Sequence, residues 1–168
     1  MIEQGDVMTL NNTSWFDGSG NTVEFSEILK YITSKKDTHE IHVGSDSQPY
    51  HSYVIFAITV CLYLPGRGAT YYVSRKKSKS KAYKNLGVRL QYESELAIYV
   101  ANHIRESLAL DDITIHADIS PNPVNKSFKY VKSIKSFVQS MGFECIIKPD
   151  SWAAWVADKH AKSDIIIY

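Results

Sequence analysis

Apolar positions along this chain change period twice. Phe25, Ile28, Leu29 and Ile32 recur at spacings of three and four, which predicts a helix ending near Ser34, with Thr22 or Ser26 as its cap and Lys35-Lys36 at its C-terminal end. From Glu40 the runs shorten and become β-branched and aromatic, predicting strands at 41–45, 53–64 and 69–74. Pro65-Gly66-Arg67-Gly68 reads as the turn of an antiparallel hairpin between the last two strands. A polar, basic stretch, 76–84, reads as a loop. Beyond it the helical period returns over 87–108, with Leu90, Glu93, Leu96, Ala97, Val100, Ala101, Ile104 and Leu108 along one stripe. The remainder alternates: strand 113–117, helix 124–141 with Gly142 as the residue past its end, strand 143–148, and a helix from Trp152 to about Lys162.

This order, βββαβαβα after an N-terminal helix, predicts an α/β fold with a mixed five-stranded sheet flanked by helices. Residues 1–12 have no clear periodicity, and the stretch 15–21 carries the Asp, Gly and Asn of a turn. Residues 1–38 are therefore expected to form an arm and helix packed on a domain of residues 39–168. A length of 168 residues with 44% hydrophobic residues suits one core rather than two. No apolar run approaches the roughly 18 residues of a membrane span, and Glu3, Gln4 and Asp6 do not fit a secretory leader, so a cytoplasmic protein without a membrane partner is expected. Cys61 and Cys145 sit in apolar runs without ligand spacing and are expected to be buried free thiols.

The net charge of +1 hides an uneven distribution. No acidic residue lies between Asp46 and Glu93, whereas that interval holds eight basic ones, leaving 11 basic against 18 acidic elsewhere. The basic residues Arg75, Lys76, Lys77, Lys79, Lys81 and Lys84 are candidates for contact with nucleic-acid phosphates, with Tyr71, Tyr72, Tyr83 and Tyr92 nearby as candidates for stacking on bases. A solvated lysine loop and tyrosines used in sheet packing are the plainer alternative.

Four acids occupy informative places. Asp46 and Asp118 each close an apolar run, in Val43-Gly44-Ser45-Asp46-Ser47-Gln48 and in His116-Ala117-Asp118-Ile119-Ser120-Pro121. Neighbouring strands would bring two such acids together, with the charge density a hard cation needs. Taken singly, each also suits the start of a turn. Glu93 shares its helical stripe with Ala97, Val100, Ile104 and Leu108, so its carboxylate is expected to face the sheet, whereas Glu95 falls on the polar side. Burying a carboxylate without a cation or a donor is costly. Asp158, on the final helix, is placed to reach the same sheet edge, or to pair with Lys162 one turn on.

Strand Asp, helix Glu, second strand Asp and terminal-helix Asp, in this order of elements, resemble the ribonuclease H-like superfamily. The segments 43–48, 118–122, 141–144, 148–149 and 157–160, with Trp15-Phe16-Asp17, look like an uncharacterised bacterial branch of it, over nearly the whole chain. The resemblance implies a nuclease using two Mg²⁺ or Mn²⁺ ions about 3.5–4 Å apart. On this analogy Asp46 would bridge both ions, Glu93 and Asp118 would complete the shell of one, and Asp158 that of the other. His160 would be a further catalytic candidate for proton transfer. RNA, DNA or an RNA–DNA hybrid would be the substrate. A ribonuclease H-like module that binds nucleic acid and has lost catalysis is the alternative, and a sugar-kinase-type ATPase would need a second domain and glycine-rich phosphate loops.

Overall fold

The computed structural model describes Leu10 and residues 13–162; most of the unpatterned stretch 1–12 lies outside the described residues. In chain order the elements are β1 (Trp15–Asp17), β2 (Thr22–Val23), α1 (Phe25–Lys35), β3 (Glu40–Pro49), β4 (Val54–Leu64), β5 (Gly68–Ser78), α2 (Leu86–Leu108), β6 (Ile113–Ala117), α3 (Val131–Ser140), β7 (Glu144–Ile146) and α4 (Trp152–Ala161). They form one mixed sheet in the order β2-β1-β5-β4-β3-β6-β7. β4 pairs antiparallel with both β3 and β5, whereas β6 pairs parallel with β3 and β7 parallel with β6.

The predicted five strands and the helices between them are present, and the sheet gains two strands at the N-terminal side. Trp15–Asp17 does not lead into the domain as an arm; it pairs antiparallel with β5, Trp15 opposite Ser74, and with β2. Asp17 closes the intervening turn, its Oδ1 accepting from the backbone N–H of Ser19 and of Asn21, each at 2.9 Å, and its Oδ2 from Asn21 Nδ2 at 3.0 Å. Chief among these, the Asn21 side-chain bond holds the Asp17 carboxyl below the usual carboxylate range. Because Thr22 belongs to β2, it does not cap α1. Glu24 does, its backbone N–H donating to Glu27 Oε2 at 2.9 Å.

Two further boundaries differ from expectation. β5 continues to Ser78, so Lys76 and Lys77 lie on a strand and 81–84 form one turn of 3-10 helix. The helix expected from Val124 begins at Val131. Residues 120–127 are held instead by polar side chains, with Val124 N–H donating to Asn122 Oδ1, Ser120 N–H to Ser127 Oγ and Asn125 Nδ2 to Ser120 Oγ. Such bonds give the backbone an alternative to a helix. Gly142 terminates α3 as expected, at φ +87.

Side chains on β3 alternate between the two faces of the sheet. Ile41, Val43, Ser45 and Ser47 turn to the face covered by α2, with α1 and α3 beside it. His42, Gly44 and Asp46 turn to the face covered by α4. There Ala153, Ala154, Ala157 and Ala161, each at most 1% exposed, form a small-residue face on the sheet. A Cβ on Gly44 would lie 2.4 Å from the carbonyl carbon of Ala153, so α4 rests on the β3 backbone itself. A Gly44→Ala protein is expected to lose about 1–3 kcal/mol to overpacking, a fall of several degrees in Tm; a melting curve superimposed on that of the wild type would show that the contact has no such stiffness.

Candidate functional site

The parallel pairing of β3 with β6 sets the first two acids side by side. Gly44 is opposite His116 and Ser45 opposite Ala117, so Asp46 and Asp118 occupy the next positions of adjacent strands. Asp46 does not end its strand as expected. β3 runs three residues further, paired with β4 through Asp46 opposite Ala57, and this leaves Asp46 only 7% exposed. Asp118 follows the last residue of β6 and stays partly open to solvent.

Glu93 reaches this place from α2. It is 6% exposed, in the sheet-facing stripe, and accepts a short hydrogen bond from Ser47 Oγ. Glu95 is half-buried and accepts from Gln91 Nε2 at 3.1 Å, away from the cluster. Burial, then the negative charges of Glu93, Asp118 and Asp158, pushes the Asp46 carboxyl up to about 10. Burial pushes Glu93 up to about 8, with the charge of Asp118 adding to it and the Ser47 bond, Arg89 and Lys148 opposing it. Asp46 therefore feels acids from α2, from α4 and from the exit of β6.

Two lysines answer part of that charge. Lys148 Nζ lies 3.0 Å from Asp118 Oδ1, and Lys162 Nζ lies 2.7 Å from Asp158 Oδ2. The second is the i,i+4 pair that the sequence also allowed. Among the described residues, no three His, Cys, Asp or Glu side chains are drawn together as a ready set of metal ligands. The donors are nonetheless of the right kind for a hard cation, being carboxylate oxygens throughout. His160 is placed elsewhere: its Nε2 is 3.3 Å from Tyr71 Oη, and its backbone carbonyl accepts from Arg75. Two residues along a helix turn a side chain some 200° away from Asp158, which directs His160 to β5 instead of the carboxylates.

A chain of polar groups, buried at His116 and His42 and ending at the exposed Glu40, fixes the start of α4. Ala153 N–H donates to His116 Nδ1 at 3.3 Å, so His116 carries its proton on Nε2 and passes it as a donor to His42 Nδ1 at 2.9 Å. His42 Nε2–H then donates to Glu40 Oε2 at 2.9 Å. Burial, then the neighbouring His42, lowers the pKa of His116 to about 3, so it stays neutral. Trp152 packs over both rings, with centroids 4.9 and 5.1 Å away, and Thr59 Oγ1 donates to the Ala153 carbonyl at 3.0 Å. These contacts set the height and direction of the helix that bears Asp158.

The ribonuclease H-like family model matches residues 24–162, from the start of α1 through α4 and across all four acids. The chain belongs to that family. It is also 25% identical over 146 residues to the uncharacterized protein YkuK of Bacillus subtilis (strain 168), with 77% of this chain and 83% of that protein covered. As in the expectation from sequence, the fold is ribonuclease H-like, and no described helix is long and apolar enough to cross a membrane.

Within this ribonuclease H-like frame the basic residues flank the acids on the β5 side. Lys77, Lys79, Lys81 and Lys84 are exposed, while Arg75 and Lys76 are half-buried. Lys76 Nζ is 2.7 Å from Tyr92 Oη, and Lys77 Nζ is 4.2 Å from the centre of the Tyr53 ring. The tyrosines are mostly committed to packing. Tyr83 and Tyr92 stack on each other at 4.8 Å and meet the Phe56 ring edge-on at 5.0 and 4.8 Å, Tyr72 is buried, and Tyr71 meets His160, so each of the four rings already packs within the fold. Sequence reading gave no role to Ser47, Lys148, His42 or His116. For Ser47 the signal was present in the alternation of β3, which sends 47 to the face of Glu93; for the others only the tertiary structure reveals the partner.

The raised acids make the metal-free protein pH-sensitive in a definite direction. A folded carboxyl that holds its proton above the unfolded values of 3.8 for Asp46 and 4.5 for Glu93 contributes stability at low pH that is lost as pH rises through the folded values near 10 and 8. In the presence of a chelator, Asp46→Asn is expected to melt above wild type by a margin that widens from pH 5 to pH 9. A margin constant with pH would mean that Asp46 is ionised throughout.

Proposed function

We propose that this chain is a divalent-metal-dependent phosphodiester hydrolase that cuts nucleic acid. The observation that carries the reading is the Asp46 carboxyl, buried on the central strand and repelled by Glu93, Asp118 and Asp158 from three other parts of the chain. Structure alone has little use for such repulsion, since four acids converging without a cation oppose folding. Asp46, Glu93, Asp118 and Asp158 would hold Mg²⁺ or Mn²⁺, as two ions by family analogy. When bound, such ions activate a water and stabilise a leaving oxygen.

The chain's own side chains supply orientation and access. Ser47 holds Glu93 Oε1 and so fixes which carboxylate oxygen stays free. Asp118 and Asp158, 26% and 23% exposed at the side chain, form the side of the cluster open to a ligand. Arg75, Lys76, Lys77, Lys79, Lys81 and Lys84 supply positive charge on the β5 flank for the phosphate backbone, without reading sequence. His160 is left out of this machinery because its ring is held at Tyr71.

The pairing of Lys148 and Lys162 with two of the acids favours a second reading, a ribonuclease H-like module that binds nucleic acid without cutting it. Cleavage of single-stranded RNA, single-stranded DNA and hybrid duplex, each with Mn²⁺, Mg²⁺ or chelator, separates the two. The hydrolase reading expects ion-dependent cleavage of at least one substrate, reduced about 100-fold or more in Asp118→Asn. Oligonucleotide binding with no Mn²⁺ uptake and no cleavage would leave the binding module.

A further inference from the structure

Lys148 follows β7, on the side of the acids away from β5 and its cations. Both ends of the residue are tied to the exit of β6. Its backbone N–H donates to the Ile119 carbonyl at 3.1 Å, and its Nζ lies 3.0 Å from Asp118 Oδ1. The backbone bond restrains where the ammonium can go, while 48% exposure of the side chain makes the ion pair itself cheap to break. Lys162 differs in this respect, since it pairs with Asp158 one turn back on the same helix and is 57% exposed at the side chain.

We propose that Lys148 is a resident counter-ion of Asp118 which a divalent cation displaces, and that the released ammonium then binds a phosphate of the nucleic acid beside that cation. The inference rests on the hydrolase reading above. An ammonium 3.0 Å from Asp118 Oδ1 and a divalent ion on the same carboxylate repel each other, so ion binding favours an outward movement of the lysine. The Ile119 bond keeps it close, and the anion that a nucleic acid brings to this place is a phosphate oxygen. Lysine suits the task, as a flexible point charge with three donors that can change partner. The nucleic acid would then meet positive charge on both sides of the carboxylates, from β5 and from the residue after β7.

Two titrations test this, with thermal melts confirming that each variant is folded. In the first, Mn²⁺ is added to wild type, Lys148→Met, Lys148→Arg and Lys132→Met, the last removing an exposed charge on α3. Loss of the competing ammonium is expected to tighten Mn²⁺ binding about fivefold in Lys148→Met and to leave Lys132→Met unchanged. Lys148→Arg keeps the charge and should not bind more tightly. In the second, a fluorescein-labelled twelve-residue oligothymidylate is titrated with and without Ca²⁺. Lys148→Met should bind like wild type without the ion and several-fold more weakly with it.

Equal Mn²⁺ affinity in wild type and Lys148→Met overturns the displacement, and equal weakening of oligonucleotide binding with and without Ca²⁺ overturns the release. Wild type that binds no Mn²⁺ would instead remove the hydrolase reading on which both depend.

Discussion

The closest constraint in this molecule is the contact between a helix and a strand that has no side chain at the point of crossing. Gly44 lets α4 rest on the β3 backbone, and the row of alanines from Ala153 to Ala161 lets it lie flat there. An alanine face buries little apolar area, so the position of the helix relies on more than hydrophobic burial. The His116–His42–Glu40 chain, the Trp152 ring and the Thr59 hydroxyl supply directional contacts at its first turn. Asp158 reaches the carboxylate cluster because those contacts hold the helix that carries it.

The cluster works against the fold that holds it. Burying Asp46 and Glu93 beside two more acids costs stability whenever they ionise, and the structure meets the cost in pieces: a proton on the buried carboxyls, the Ser47 hydroxyl on Glu93, and lysines at the two exposed members. Each of these partners can be exchanged. A group of acids satisfied by removable protons and partly exposed ammonium groups keeps an electrostatic strain that the packing around it does not relieve.

Much of this was legible in the chain because period and spacing report local geometry. The stripe containing Glu93 put that residue on the sheet face, and two apolar runs ending in acids anticipated the adjacency that the β3–β6 register provides. What sequence did not show was mostly too short or too tertiary. A three-residue strand such as Trp15–Asp17 has no room for an alternating pattern, and its identity depends on an edge of β5 far along the chain. The start of α3 was misplaced because Asn122, Asn125 and Ser127 spend their side chains on the backbone before it. The tyrosines around the basic segment look available for stacking until Phe56 and their mutual packing claim them.

The shared register of β3 and β6 also bears on how the family can vary in length. From Ile113 to Ala117 every position is matched to a partner on β3, so inserting or deleting a single residue there would shift Asp118 along β3 and turn it to the opposite face. The loop that follows is closed by its own Ser and Asn side chains and by local backbone bonds, outside any strand ladder, and carries no such phase. Changes of length should therefore collect after Pro121 and be purged before Asp118, a boundary three residues wide between a segment that counts its residues and one that does not.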